Sequence, residues 1–386
     1  MGDAGLLLRH QGETTWAWFG TEVLATVDRG DEPGHDPQQE AARALSDTHA
    51  WLDRVWALGP STAVELRWSS DGRGRVRLSV LARTAGAPGD ELDQRVEAGR
   101  RTVGDLPPHV TSAPLAEDEL GRALAPLSPA VGRAAAIRKR CVTAAPQRPD
   151  APVTFYFAIQ PFVAVPAAWP ALVAELAASS SPVVLSVGME PVTVEPTLLH
   201  ALRRIGDRYG PLAEWGRSRG GLHSSAKDLA PDPFAIDAFG YYRDLEQSLT
   251  GRAFRFAVRL AGAVGLDPVL LAAVGGVVGG TSQSGRPTPH AVECQGVAAH
   301  LDVARDDHSV AVFERNLHGL GFEPWGGDPC WSWSTPPPVA LRPVTELAGI
   351  EELAAFAQLP TSSVATFPSV PSATLPRRIR HPPSAI

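Results

Sequence analysis

Residues 62–84, TAVELRWSSDGRGRVRLSVLART, leave a folding chain little freedom. Val64, Leu66 and Trp68 alternate with Glu65 and Arg67, a Ser-Asp-Gly-Arg-Gly turn follows, and Val76, Leu78 and Val80 alternate again. Successive side chains of a strand point to opposite faces, so both runs put an apolar row on one side. Two such runs joined through Asp-Gly predict an antiparallel hairpin with one buried face. Its neighbours fit the same sheet. Strand-like runs at 5–10 and 14–20 precede a charged loop. A helix follows over 37–58, with Ala44, Leu45, Trp51, Leu52, Val55 and Trp56 at helical spacing. A polar helix over 89–103, a short strand near 109–115 and a helix over 116–124 complete an expected N-terminal α+β domain, 1–144, with helices on one face of an antiparallel sheet.

The prolines of APQRPDAP mark 145–152 as an expected linker. The pattern then restarts: a strand at 153–165, a helix at 167–179 and a strand at 182–192. Two helical stretches within 195–250 interrupt it. RAFRFAVRLAGA (252–263) follows, with Phe254, Phe256, Val258 and Leu260 on one side and Arg255 and Arg259 on the other. A helix at 267–278, a strand near 289–294 and a helix at 306–319 close the second domain, 153–340. Strand, helix, strand, insertion, strand, helix, strand is a split βαβ order. The predicted fold class is therefore α+β, with two ferredoxin-like (split βαβ) units, the second carrying the helical insertion 195–250. A C-terminal helix is expected within 341–360, and the Pro/Ser-rich tail 361–386 is expected to be disordered.

Composition narrows the function classes. The net charge of -7 argues against binding nucleic acid over the whole surface. All but two of the 35 basic residues are arginine, the exceptions being Lys139 and Lys227, so an arginine run is not by itself a binding signal. Cys141, Cys294 and Cys330 lie far apart, with no Cys-x-x-Cys, which fits a reducing, cytoplasmic setting. The N-terminus has no basic start and apolar core, and the longest apolar stretch, 268–280, is too short to cross a bilayer. No membrane insertion is expected.

Four stretches hold residue types that carry chemistry elsewhere. GGTSQSGRPT (279–288) spaces Gly280 and Gly285 like a phosphate loop, but Arg286 and Pro287 stand where Lys and Ser/Thr are needed. His290, Cys294, His300, Asp306, Asp307 and His308 are metal-binding types whose spacings match no common zinc frame. GLHSSAKD (221–228) sets His223 beside Ser224 and Ser225 without a nucleophile elbow. IRKRC, with Arg138, Lys139 and Arg140, is the densest basic run; with Arg377, Arg378 and Arg380 of the tail it is the candidate contact for nucleic acid. None of these patterns assigns a catalytic residue, cofactor or metal.

The hairpin 64–84 followed by a charged helix, then RAFRFAVRLAGAVGLDPVLLAAVGGVVGG, then ELAGIEELAAFAQLP, come in an order that resembles the region preceding the motor in HerA/FtsK-like pumping ATPases. That group includes the conjugation ATPases of type IV secretion systems. The resemblance implies a pair of α/β subdomains that end where an ATPase domain would begin. The tail after Pro360 holds neither a P-loop lysine nor an acidic Walker B strand. A non-catalytic assembly or accessory role follows as an expectation. The expected partner is a separate P-loop ATPase or a second copy, with DNA engaged through the partner. Leu347, Ile350, Leu353 and Phe356 form a helical stripe expected either to dock on that partner or to pack on the chain's own core. An enzyme using scattered residues and a nucleic-acid-binding module are the alternatives.

Overall fold

The computed structural model describes residues 4–28, 37–139, 141–152, 156–159, 161–162, 169–218, 227–278, 299–324, 339–360 and 369–371. Most of the tail, the glycine loop 279–288, His290, Cys294 and the His223–Ser225 stretch lie outside these residues. The chain is mixed α and β. In order it forms β1 (Leu7–Gln11), β2 (Thr14–Asp28), α1 (Pro37–Ala57), β3 (Thr62–Asp71), β4 (Val76–Gly86), α2 (Asp90–Gly104), β5 (Val110–Pro114), α3 (Glu117–Leu124), β6 (Ala134–Lys139), β7 (Cys141–Ala144), β8 (Tyr156–Ile159) and α4 (Trp169–Ala178). It continues through β9 (Pro182–Val192), α5 (Pro196–Ala213), β10 (Gly216–Arg217), β11 (Asp228–Leu229), α6 (Pro233–Thr250), β12 (Ala253–Gly262), α7 (Pro268–Val278), β13 (Ala299–Val303) and α8 (Asp307–Gly319). A 3₁₀ segment (Val339–Glu346), β14 (Leu347–Gly349), α9 (Ile350–Phe356) and β15 (Ser369–Pro371) follow. Among the described residues no helix is long and apolar enough to cross a membrane.

Eleven of the described strands join one sheet, in the order β1-β2-β4-β3-β9-β12-β6-β13, with β5 and β15 added on β2 and β14 on β12. Every pairing in it is antiparallel except β15 on β2. The halves expected to fold as separate units share this sheet, because β3 pairs with β9 from Val64↔Met189 to Asp71↔Pro182. The β3–β4 turn is built as its sequence requires. Asp71 Oδ1 accepts the N–H groups of Arg73 (2.8 Å) and Arg75 (3.2 Å), and Gly72 takes a φ of 71°, where a side chain would strike Ser181.

Strand β6 precedes the expected linker yet lies between β12 and β13 in the sheet. The strand expected at 153–165 is, in its described part, β8, which pairs only with β7 in a separate two-stranded sheet. Its backbone is engaged by distant side chains. Tyr209 Oη accepts from Phe157 N and donates to Phe157 O, both at 2.8 Å, and Tyr242 Oη donates to the same carbonyl at 3.0 Å. Two tyrosines of the helices between β9 and β12 thus take the N–H and C=O of Phe157, groups that a strand otherwise offers to a neighbour.

The sheet's apolar face carries Val64, Leu66 and Trp68, Leu185, Val187 and Met189, and Phe254, Phe256 and Val258, all buried. Helices α1, α2, α4, α7 and α9 cover it, with the Trp169 ring of α4 tilted against Trp68 at 5.8 Å. Each fully buried side chain of this size contributes roughly 1.5–3 kcal/mol. The other face carries Glu65, Arg67, Ser186 and Arg259, equally buried, beneath α3, α8 and residues 320–324. Helices α5 and α6 pack on each other, on β8 and on the 3₁₀ segment as a second core. The 145–152 stretch is fastened to them. Asp232, the N-cap of α6, accepts from Phe234 N (3.0 Å) and Gln147 N (2.7 Å), while Arg148 donates to Glu214 O (2.6 Å) at the end of α5.

Candidate functional site

Strand β6, Ala-Ala-Ala-Ile-Arg-Lys, is buried along its whole length. Its last two residues are cations, and the period of a strand sends them to opposite faces. A buried charge persists only when paired and hydrogen-bonded. Both partners come from the C-terminal segment. On the polar face the Arg138 guanidinium bonds the Glu346 carboxylate. On the apolar face Lys139 Nζ donates to Leu347 O at 2.6 Å and to Glu352 Oε2 at 2.7 Å, and sits 5.6 Å from the Phe256 ring. Glu352 uses its second oxygen to accept Phe162 N at 2.7 Å.

Between these two clamps β14 adds to β12, with Phe254↔Ala348 at its centre, and α9 turns into the core. Leu347, Leu353 and Phe356 are buried; the Phe356 ring packs 5.3 Å from Phe162 and 5.4 Å from Phe256. Ile350 is half-buried at the margin of the same core. The stripe expected to dock on a partner or on the chain itself is therefore covered by the chain. The basic run is likewise spent internally at Arg138 and Lys139. Arg140, Arg377, Arg378 and Arg380 lie outside the described residues.

A concavity opens on each side of this anchor. On the polar face a small cavity of about 30 Å³ is lined by Arg138, Arg259, Asn316, Phe322 and Glu346, among others. Arg259 Nη1 lies 3.6 Å from Glu65 Oε2, and its Nη2 donates to Gly321 O. Burial draws the Arg259 guanidinium down to about 10, against the pull of Glu65. The loop above is pinned by Asn316, which accepts Glu323 N (2.9 Å) and donates to Glu323 O (2.6 Å). Ion pairs that hold the fold together form much of its wall.

The other concavity is larger. A cleft of about 520 Å³ lies between α6 and the start of α9, with Lys139 and Glu352 among its lining. Tyr241, Asp244, Arg252 and Glu351 also line it. Arg252 is paired with Asp53 of α1. Burial, then Asp237, raises the Tyr241 phenol above its usual range, so it is a neutral hydrogen-bonding group. Asp244 and Glu351 are exposed and have no ion-pair partner among the described residues.

Among the described residues no three His, Cys, Asp or Glu side chains gather as a metal site. Asp306, a metal-binding type by sequence, caps α8: it accepts Ser309 N at 2.7 Å, and that bond holds its carboxyl below the usual range. Sequence reasoning missed Glu346 and Glu352. Their signal was indirect: a wholly buried strand ending in Arg-Lys requires two carboxylates from elsewhere.

No family model matches the chain. Over 102 residues it is 47% identical to the E subunit of a V-type ATP synthase from Anaeromyxobacter sp. (strain Fw109-5). That match covers 26% of this chain and 49% of that protein, so the chain spans about half the length of this curated relative.

Proposed function

We propose that the chain is a non-catalytic frame, akin to the pre-motor region of HerA/FtsK-like ATPases, that presents a fixed junction to a separate P-loop ATPase in the cytoplasm. The observation that carries the reading is the two-sided clamp. The segment in which the resemblance is densest is an added strand of the sheet, held by Arg138–Glu346 on one face and Lys139–Glu352 on the other. A junction that orients a partner has to be seated on rigid elements, and this one is. DNA is engaged through the partner, since the densest basic run is consumed in holding the frame together.

The proposal includes two split βαβ units. The order β5-β2-β4-β3 in one half and β13-β6-β12-β9 in the other is what two such units give when joined edge to edge. In this reading β6, not the 153–165 stretch, opens the second unit. The Anaeromyxobacter relative, by its name part of an ATP synthase, supports an ATPase-associated role.

The test combines mass and turnover. The full chain is mixed with a P-loop ATPase that lacks a comparable N-terminal region, and light scattering and ATP hydrolysis are followed together. The expected result is a complex of defined mass, with no hydrolysis by the chain alone. Robust ATP turnover by the isolated chain overturns the proposal.

A further inference from the structure

We infer that the cleft between α6 and α9 binds a basic peptide segment of a partner protein, an assignment that rests on the frame reading above. Its volume of about 520 Å³ falls within the roughly 300–1,000 Å³ of sites that enclose a small ligand, enough for a few residues of extended chain. Its charges decide the chemistry. Of the two cations lining it, Lys139 is committed to Glu352 and Arg252 to Asp53. Asp244 and Glu351 remain, both exposed and both without a cationic partner among the described residues. The cleft thus carries two uncompensated carboxylates within reach of solvent, which favour an arginine or lysine side chain and repel a phosphate backbone.

Neutral groups in the lining favour peptide over a bare polyamine. Tyr241, Gln247 and Ser248 line the cleft beside the two carboxylates. A phenol or hydroxyl donates and accepts, as does a side-chain amide. A peptide backbone answers both with its own N–H and C=O groups, whereas a protonated polyamine offers donors alone. The site lies on the segment clamped by Lys139, so an occupant would sit directly against the junction.

The experiment uses the full chain and a fluorescein-labelled, end-capped peptide of alternating arginine and alanine, followed by fluorescence anisotropy. A peptide with glutamate for arginine and free spermidine serve as comparisons. The expected result is saturable binding of the arginine peptide alone, weakening as salt is raised. The Asp244→Asn/Glu351→Gln double variant is expected to bind about tenfold more weakly or worse, since it removes two charge-assisted contacts. Both positions are exposed, so an unchanged melting transition shows that the variant is folded. Absence of saturable binding, equal binding by the double variant, or spermidine binding as tightly as peptide would each overturn the inference. Because the peptide is tested without any ATPase, a negative result here is independent of whether the chain assembles with one.

Discussion

One face of the sheet meets five helices through apolar side chains; the other meets α3, α8 and residues 320–324 through arginines and glutamates. The first depends on area and volume and tolerates exchange of one hydrocarbon for another. The second depends on partners. Arg67 donates through Nε to Glu65 at 2.6 Å and through its Nη atoms to Ala123 O, Leu124 O and Leu317 O, tying the ends of two helices to β3. Those carbonyls are the ones a helix leaves unsatisfied, and a cation there also opposes the negative end of the helix dipole. The apolar face makes the molecule stable, whereas the polar face fixes where α3 and α8 must sit. The C-terminal segment uses both kinds of attachment at once.

The contrast yields graded expectations. Glu65→Ala leaves Arg67 and Arg259 buried without their carboxylate and is expected to cost about 3–5 kcal/mol in urea unfolding. Replacing Glu65, Arg67 and Arg259 together by Leu, Met and Met removes the buried charges but leaves the carbonyls of Ala123, Leu124, Leu317 and Gly321 without these donors, and is expected to cost about 1–3 kcal/mol for each carbonyl left unmet. If the triple change is neutral, the arginines do not hold α3 and α8 through those carbonyls and the comparison fails. On the apolar face Leu353→Ala is expected to cost about 2–5 kcal/mol and Leu353→Met under about 1.5 kcal/mol. Arg67→Lys, equally conservative on paper, should exceed the latter in the same measurement because ammonium cannot span four acceptors.

The helical region offers two smaller tests. Asp232→Ala removes the α6 N-cap and its bond to Gln147, with an expected cost of about 1–2 kcal/mol read from thermal unfolding. The last effect appears only in alkali. Burial raises Tyr209 from 10.0 to about 12 in the folded chain, and it raises Tyr156 as well. The fold therefore favours the neutral phenol. That contribution is complete below the unfolded value of 10.0 and is lost as pH rises through about 12. Unfolding measured across this interval should weaken with pH, and Tyr209→Phe should flatten the slope.

Legibility followed how local each signal is. The β3–β4 hairpin was readable because alternation and an Asp-Gly turn are set by adjacent residues. Both faces of β12 were readable too, down to the side that holds Arg259. What alternation did not say is that the arginine side is buried: Glu65, Arg67 and Arg259 read as a solvent face until α8 and residues 320–324 cover them. The role of 134–139 was hidden for a similar reason. A short strand without alternation gives no clue to its neighbours, so Arg138 and Lys139 read as a basic patch. In the 153–165 stretch the opposite happened: a strong strand pattern pairs outside the main sheet, and its Phe157 backbone is taken by Tyr209 and Tyr242, some fifty and eighty-five residues further on.

From residue order alone this chain determined its periodic helices and strands and which side of each is apolar, because those depend on neighbours within a turn or a pleat. Only the tertiary structure decided that both halves share one sheet through β3 and β9, that two adjacent cations clamp Glu346 and Glu352 on opposite faces, and that a cleft remains beside them. Pairings across more than two hundred residues leave no local mark: Coulomb attraction and hydrogen bonding act through space, and burial tells which charges must find one another.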